Sequence, residues 1–278
     1  MELLVLGGTA FLGREIARTA IGRGHRVTCA ARGSSAPPEG AEFVPVDRDQ
    51  DDGLAPVADR HWDGVIDVAR QPGHMRRAVR DMAADHRVFV SSGNAYADFS
   101  AIEQSEDAAT LAPLEADDMT SDDDYGAAKV ACEQAVRTAG PSAVVRSGLI
   151  AGPGDWSGRT GYWPWRFAHP VGAEVVVPDD PDFPCAMIDV RDLAAWLVDL
   201  AEGRVEGTFN ATGPTTDLRS VLDVAARVAG SSAQPRPGRH LTRDLLPFRP
   251  FRASERSEQE QISREGRAQV APASAASR

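Results

Sequence analysis

Polar and apolar positions along the first two thirds of the chain alternate between two periods. Leu3 to Leu6 is continuously apolar, as a strand covered on both faces must be. From Phe11 to Arg23 the period lengthens: Leu12, Ile16, Ala17, Ala20 and Ile21 share one helical face, and Gly24 ends the helix. His25 to Ala31 and Phe43 to Val46 read as the next two strands, and Gly64 to Val68 as a fourth. A helix follows over Met75 to Ala84, a fifth strand over Arg87 to Ser91, a helix over Tyr125 to Thr138 and a sixth strand over Ala143 to Ile150. Further on come a helix over Val190 to Glu202, a short strand at Thr208 to Asn210 and a helix over Asp217 to Val228. Asp189 or Asp192 can cap or charge the start of the first of these.

Strands alternating with helices predict an α/β fold: a doubly wound parallel sheet of the Rossmann type with a smaller C-terminal substrate lobe. The predicted organisation is a dinucleotide-binding domain over 1–150, rejoined by about 185–212, and a mainly substrate-binding lobe over 151–251. Residues 252–278 are polar and read as a disordered tail. Two stretches lack periodicity. Residues 97–124, rich in Asp, Glu, Ser and Thr, read as a surface loop bordering the pocket. Residues 151–184, rich in Gly, Pro and Trp, read as an irregular, substrate-facing segment.

Composition narrows the function classes. The formal charge of -11 argues against a broad nucleic-acid-binding surface, and no apolar run approaches the ~20 residues a membrane helix needs. Leu3 to Leu6 follows Met1 without the basic region of a secretory signal, so a soluble cytoplasmic protein is expected. Cys29, Cys132 and Cys185 lack metal-ligand spacing and read as free thiols in a reducing cytosol. The histidines form no cluster either, so no metal is expected. Of 30 basic residues, 29 are arginine and Lys129 alone is lysine. A single lysine in such a chain points to chemistry that a guanidinium cannot supply.

The first strand and first helix are joined by Gly7-Gly8-Thr9-Ala10-Phe11-Leu12-Gly13. A pyrophosphate needs backbone N–H groups at a helix N-terminus and no Cβ in its way. Gly7 suits the tight turn, and Gly13 lets helix and strand pack closely, while Ala10 stands where G-x-x-G-x-x-G has its middle glycine. The second strand ends in Ala30-Ala31-Arg32-Gly33, with no acid for a ribose 2′-hydroxyl. Arg32, with Arg14 as a second candidate, suits a 2′-phosphate, which favours NADP(H) and leaves NAD(H) open. Asp47, ending the third strand, reads as an acceptor for the adenine amino group or as a turn residue.

Tyr125-Gly-Ala-Ala-Lys129 places a phenol and an ammonium one helical turn apart. A cation beside a phenol favours its phenolate, suiting it to exchange a proton with a substrate oxygen. Ser91-Ser92-Gly93-Asn94-Ala95-Tyr96 ends the fifth strand, where a hydroxyl can hold the reacting oxygen. Trp156, Arg159, Tyr162, Trp163, Trp165 and Arg166 crowd the segment after Asp155. They suit an apolar wall with anchoring cations for a ring-bearing or acidic small molecule, or cement between lobe and main domain.

Together these motifs resemble the extended short-chain dehydrogenase/reductase superfamily, the NAD-dependent epimerase/dehydratase family. The matching pieces are residues 7–13, 91–96 and 125–129, with Arg146 to Asp155, Ile188 to Ala194 and Thr208 to Gly213, over residues 1 to about 230. The resemblance implies Ser92 as the catalytic hydroxyl, Tyr125 as acid/base and Lys129 as its modulator and ribose ligand. It also implies that Ala69 and the backbone near Ser147 to Leu149 flank the nicotinamide half. Gly93-Asn94 replaces the Asp-Glu pair of the family's sugar dehydratases, and Arg146-Ser-Gly-Leu149 replaces the Arg-Tyr-Phe-Asn of galactose-type epimerases. Both departures favour a reductase or dehydrogenase of a small metabolite, with Asn94, Trp156, Arg159 and Tyr162 assigned to substrate. An epimerase of a sugar-like substrate and a non-catalytic NAD(P)-binding sensor or scaffold are the alternatives. Related enzymes often dimerise through the tyrosine helix, so a homodimer is a further expectation.

Overall fold

The computed structural model describes residues 1–155 and 157–238, so the expectations for Trp156 and for residues 252–278 lie outside the described residues. The chain opens with β1 (Glu2–Leu6), α1 (Phe11–Gly22), β2 (Arg26–Ala31), β3 (Glu42–Pro45), α2 (Ala55–Ala58) and β4 (Gly64–Asp67). It continues through α3 (Pro72–Asp81), β5 (Arg87–Ser92), α4 (Tyr125–Thr138), β6 (Ser142–Ser147) and β7 (Leu149–Ala151). Then come α5 (Tyr162–Ala168), β8 (Glu174–Pro178), β9 (Pro184–Cys185), β10 (Met187–Asp189) and α6 (Val190–Gly203). The described chain ends with β11 (Gly207–Ala211), β12 (Thr216–Asp217), α7 (Leu218–Val228) and β13 (Gln234–Gly238).

Among the described residues, seven strands form one parallel sheet in the order β11-β6-β5-β4-β1-β2-β3. This is the doubly wound, Rossmann-like architecture. Alternate residues of the apolar β1 run serve opposite faces. Leu3 and Val5 join Ile16, Leu193 and Leu197 under α1 and α6, while Leu4 and Leu6 meet Trp62, Val65, Ala78 and Met82 on the other side. Asp189 is the residue that caps α6, accepting from the Arg191 N–H.

Three expectations need correction. The single strand read over Ala143 to Ile150 is two. Gly148 separates them, its N–H taken by Ala211 O, and β7 leaves the main sheet to pair with β10. The stretch 151–184 is not wholly irregular: α5 and β8 build a second core, with Trp163, Phe167, Val175 and Val177 packed on Leu218 and Leu222 of α7. Helix α3 begins at Pro72 rather than Met75, because proline's fixed φ suits the first helical turn.

Candidate functional site

Strand order reverses between β1 and β4, and an open parallel sheet has its crevice at such a switch point, beyond the C-terminal strand ends. Gly7 leaves β1 at φ +87°, a left-handed conformation that glycine adopts without strain. At Gly13 a Cβ would lie 2.2 Å from Gly7 O, so only glycine lets α1 start this close to the strand. No side chain caps α1 at Ala10 and its first turn holds no acid. The first-turn N–H groups therefore lack intrahelical partners and favour an anion.

A cavity of about 760 Å³ opens over this turn. Of the cofactor residues expected from sequence, Gly7, Thr9, Ala10, Arg32, Asp47 and Ala69 line it. Phe11, Leu12 and Gly13 stand behind the lining, where Leu12 belongs to the main core and Phe11 packs on it. Ser147 and Leu149 are outside the lining: the Ser147 hydroxyl donates to Ser91 O, and the Leu149 side chain enters the second core. Arg14 is drawn away from the cavity and donates to Ala36 O.

Several lining residues were not foreseen. Arg48 forms a two-pronged ion pair with Asp67, 2.8 Å on each prong, with both side chains almost fully buried. Asp49 lies 3.7 Å from Arg32 and 2.6 Å from His74 Nε2. Burial holds His74 below the usual imidazole range, against the opposing hydrogen bond to Asp49. Met119 to Asp122 form a wall, held there because Gln71 Oε1 accepts from the Met119 N–H and Gly73 N–H donates to Asp117 O. Only Asp49 carried a sequence signal, its closeness to Asp47; His74 and the 119–122 wall arrive by folding alone.

The residues expected from sequence to carry the chemistry lie at the next strand ends. Tyr125 opens α4, whose start is fixed by Asp124 accepting from the backbone N–H groups of Thr120 and Ser121. At Gly126 a Cβ would sit 2.2 Å from Asn94 O, so glycine there lets α4 rest on the turn after β5. Lys129 is buried, and its ammonium donates to Ala69 O at 2.6 Å and Val90 O at 2.8 Å. It lies 5.8 Å from the Tyr125 ring centre, with Arg70 5.4 Å from that ring. Ser92 is buried at the end of β5, and its hydroxyl accepts from the Asn94 N–H at 3.2 Å. Tyr125, Lys129 and Ser92 thus share one strand edge with Ala69, which joins them to the cavity.

A buried polar network fastens the long loop beneath them. Glu133 of α4 receives Arg146 at 2.9 and 2.8 Å and the Ser91 hydroxyl at 2.6 Å. Burial pushes the Glu133 carboxyl up, but the bonds from Arg146 and Ser91 outweigh it and hold the group below the usual range. Tyr96 donates to Asn210 Oδ1, and Asn210 in turn donates to Gln104 O and, through its N–H, to Glu106. The loop is therefore anchored at residues 104–106, not merely draped over the surface.

The substrate candidates divide. Asn94 and Arg159 are exposed, and Tyr162 and Trp165 face outward, whereas Trp163 is consumed by the second core. The three cysteines are free and buried; burial pushes Cys29 up to about 11 and Cys132 and Cys185 up to about 12. His61, Asp63 and Asp85 cluster at the opposite end of β4 and β5, where Asp85 already pairs with Arg204 and Asp63 accepts from the Glu2 N–H. No helix among the described residues is long and apolar enough to cross a membrane.

Residues 3–87 match the model of the NAD dependent epimerase/dehydratase family. No curated protein matches the sequence. Solved structures match along almost the whole chain. UDP-N-acetylglucosamine 4-epimerase from Bacillus cereus aligns with a TM-score of 0.72 at 15% identity, covering 95% of this chain and 93% of its own. An NAD dependent NDP-hexosamine 5,6-dehydratase, TunA, gives 0.72 at 18% identity over 94% and 91%. The UDP-glucose 4-epimerase of Thermus thermophilus, solved with NAD, gives 0.65 at 20% identity over 96% and 93%. At these identities the structures establish the fold. The family resemblance read from the motifs stands on the match over residues 3–87 and on that fold.

Proposed function

From a chain that carries the fold of the NAD dependent epimerase/dehydratase family and matches its model at the N-terminus, we propose an NAD(P)-dependent oxidoreductase of the extended short-chain dehydrogenase type. Its substrate is a small metabolite bearing an alcohol or carbonyl. The observation that carries this reading is Lys129. The chain's one lysine is buried beneath the ends of β4 and β5, its ammonium 5.8 Å from the Tyr125 ring and bonded to a carbonyl of the cavity lining.

The residues present fit a nicotinamide dinucleotide. Gly7 and Gly13 let the turn and α1 start close against β1, where a Cβ would meet Val68 or Gly7 O, the α1 N-terminus suits a pyrophosphate, and Asp47 and Ala69 line the remaining cavity. Bound there, the cofactor supplies a two-electron hydride acceptor or donor. The protein's own part is proton handling. Tyr125 takes or gives the proton of the substrate oxygen, and Ser92 holds that oxygen by a hydrogen bond. Lys129 uses two of its three N–H bonds on Ala69 O and Val90 O, leaving one for a ribose hydroxyl. Asn94, Arg159 and Tyr162, with the lobe around α5 and α7, are assigned to substrate, and the buried free thiols suit a reducing, cytoplasmic setting.

A second reading, an epimerase that oxidises and re-reduces a sugar-like substrate, is supported by the activities of the structural neighbours. Net change in nicotinamide absorbance separates the two, because an epimerase produces none. Across a panel of small hydroxy and oxo metabolites, Tyr125→Phe should lower turnover by about 10²–10⁴-fold and leave dinucleotide affinity nearly intact. Turnover equal to wild type would remove Tyr125 from the chemistry.

A further inference from the structure

We infer that Arg48 and Asp67 are positioning residues for Lys129: their buried ion pair fixes the polar groups of Ala69 and, through them, the place of the lysine ammonium. The inference rests on the proposed role of Lys129 and adds what sets its position.

The two carbonyls that receive Lys129 are held differently. Val90 lies within β5, in register with Val145 of β6, so the sheet fixes Val90 O. Ala69 has no such support. The β4 ladder ends at Asp67, paired with Leu6 and Phe89, and the last sheet bond there runs from the Val68 N–H to Leu6 O. Ala69 lies beyond it, where a carbonyl can swing unless its own residue is restrained. Asp67 supplies the restraint. Its Oδ1 accepts from the Ala69 N–H at 2.8 Å, the short-range bond by which an aspartate shapes the residues just after it. Ala69 is thus gripped at both polar groups, its N–H by Asp67 and its O by Lys129 at 2.6 Å.

An aspartate free to rotate would give a poor grip. Arg48 prevents rotation: one guanidinium nitrogen donates to Oδ1 and the other to Oδ2, each at 2.8 Å. Two parallel bonds specify one plane for the carboxylate. The guanidinium is anchored in turn, since it also donates to His74 O at 2.7 Å. Arg77 of α3 holds the Arg48 backbone, donating to Arg48 O at 3.0 and 2.7 Å. Both side chains of the pair are almost fully buried. A well-packed apolar pair of similar volume would stabilise such a place as well or better. What it could not supply is an aimed acceptor for the Ala69 N–H. The chain of contacts therefore runs from α3 through Arg48, Asp67 and Ala69 to the ammonium.

The test uses the full chain isotope-labelled at lysine Cε, in which Lys129 gives the one lysine NMR signal. Urea midpoints and turnover over the hydroxy and oxo metabolites are measured beside it. Arg48→Met combined with Asp67→Leu removes both charges, so none is left buried and unpaired, yet the Ala69 N–H loses its acceptor. This variant should keep a near-wild-type midpoint while the lysine signal is displaced and turnover falls at least about tenfold. A merely structural pair predicts instead that signal and turnover recover together with the midpoint. Arg48→Met with Asp67→Asn puts an acceptor back and should return the signal to its wild-type position. Arg48→Gln alone, the mildest change, should displace the signal in the same direction as the Leu variant. A wild-type signal in the Leu variant or, should that variant not fold, in Arg48→Gln overturns the positioning role. Equal displacement in the Leu and Asn variants overturns it too. Wild type that binds neither NADH nor NADPH and turns over nothing overturns the oxidoreductase reading instead, and the lysine signal still decides what Arg48 and Asp67 do.

Discussion

Lys129 explains itself only at the scale of its three N–H bonds. In a chain with 29 arginines, a buried cation could have been another guanidinium. The two acceptors, Ala69 O and Val90 O, converge on a single point, which suits a compact ammonium and not a broad planar fork. Removing the ammonium strands two carbonyls in the interior. Lys129→Met should therefore cost about 2–4 kcal/mol of stability, and Lys129→Arg should destabilise as well by overpacking. Urea unfolding midpoints measure both; an unchanged midpoint in Lys129→Met would mean the carbonyls find other partners. Gly13 is another residue whose identity is forced, by the 2.2 Å approach of its absent Cβ to Gly7 O.

Between elements, a buried polar joint ties α4 to β6. Glu133 and Arg146 are both almost fully buried, and Arg137 adds a third contact at the rim. Such a pair contributes little net stability while whole, yet losing one partner leaves a buried, uncompensated charge. Glu133→Gln should cost about 3–5 kcal/mol in chemical unfolding at neutral pH. The carboxyl is held below its ordinary value in the folded chain, so its contribution is fully present above the unfolded value of about 4.3. It fades as pH falls below that value and through the folded one. Wild type should accordingly lose stability on the acid side more steeply than the Gln variant, whose unfolding midpoint should respond less between about pH 5 and 3. Parallel acid profiles would show that Glu133 does not titrate as described.

On the scale of the molecule, strand order decides where a ligand can sit. Strand order reverses between β1 and β4, and every cofactor candidate lining the cavity follows one of the strands near that break. A dinucleotide bridging these segments binds the folded chain and not the unfolded one. At about 100 times its dissociation constant it should add ~2.7 kcal/mol, raising Tm by several degrees. Thermal scans with NAD+ and NADP+ measure this, and absence of any shift with both would count against the cavity as a dinucleotide site.

Much of the architecture was legible along the chain because strands and helices carry their own period. The apolar run of β1, the helical face of α1 and the start of α4 at Tyr125 all follow from residues close in sequence. The glycine turn was legible for the same reason: its geometry is local. Where the reading failed, distant contacts had overruled local signals. Gly148 splits a continuous apolar stretch because Ala211 takes its N–H, and α5 orders part of the 151–184 stretch because α7 offers Trp163 and Phe167 a core. Local sequence thus determined the elements, the phosphate-type turn and the Tyr125–Lys129 spacing. Only the tertiary structure decided that His74 holds Asp49 and that Lys129 bridges two strand ends, because charge pairing depends on distance in space and the sheet brings those residues together.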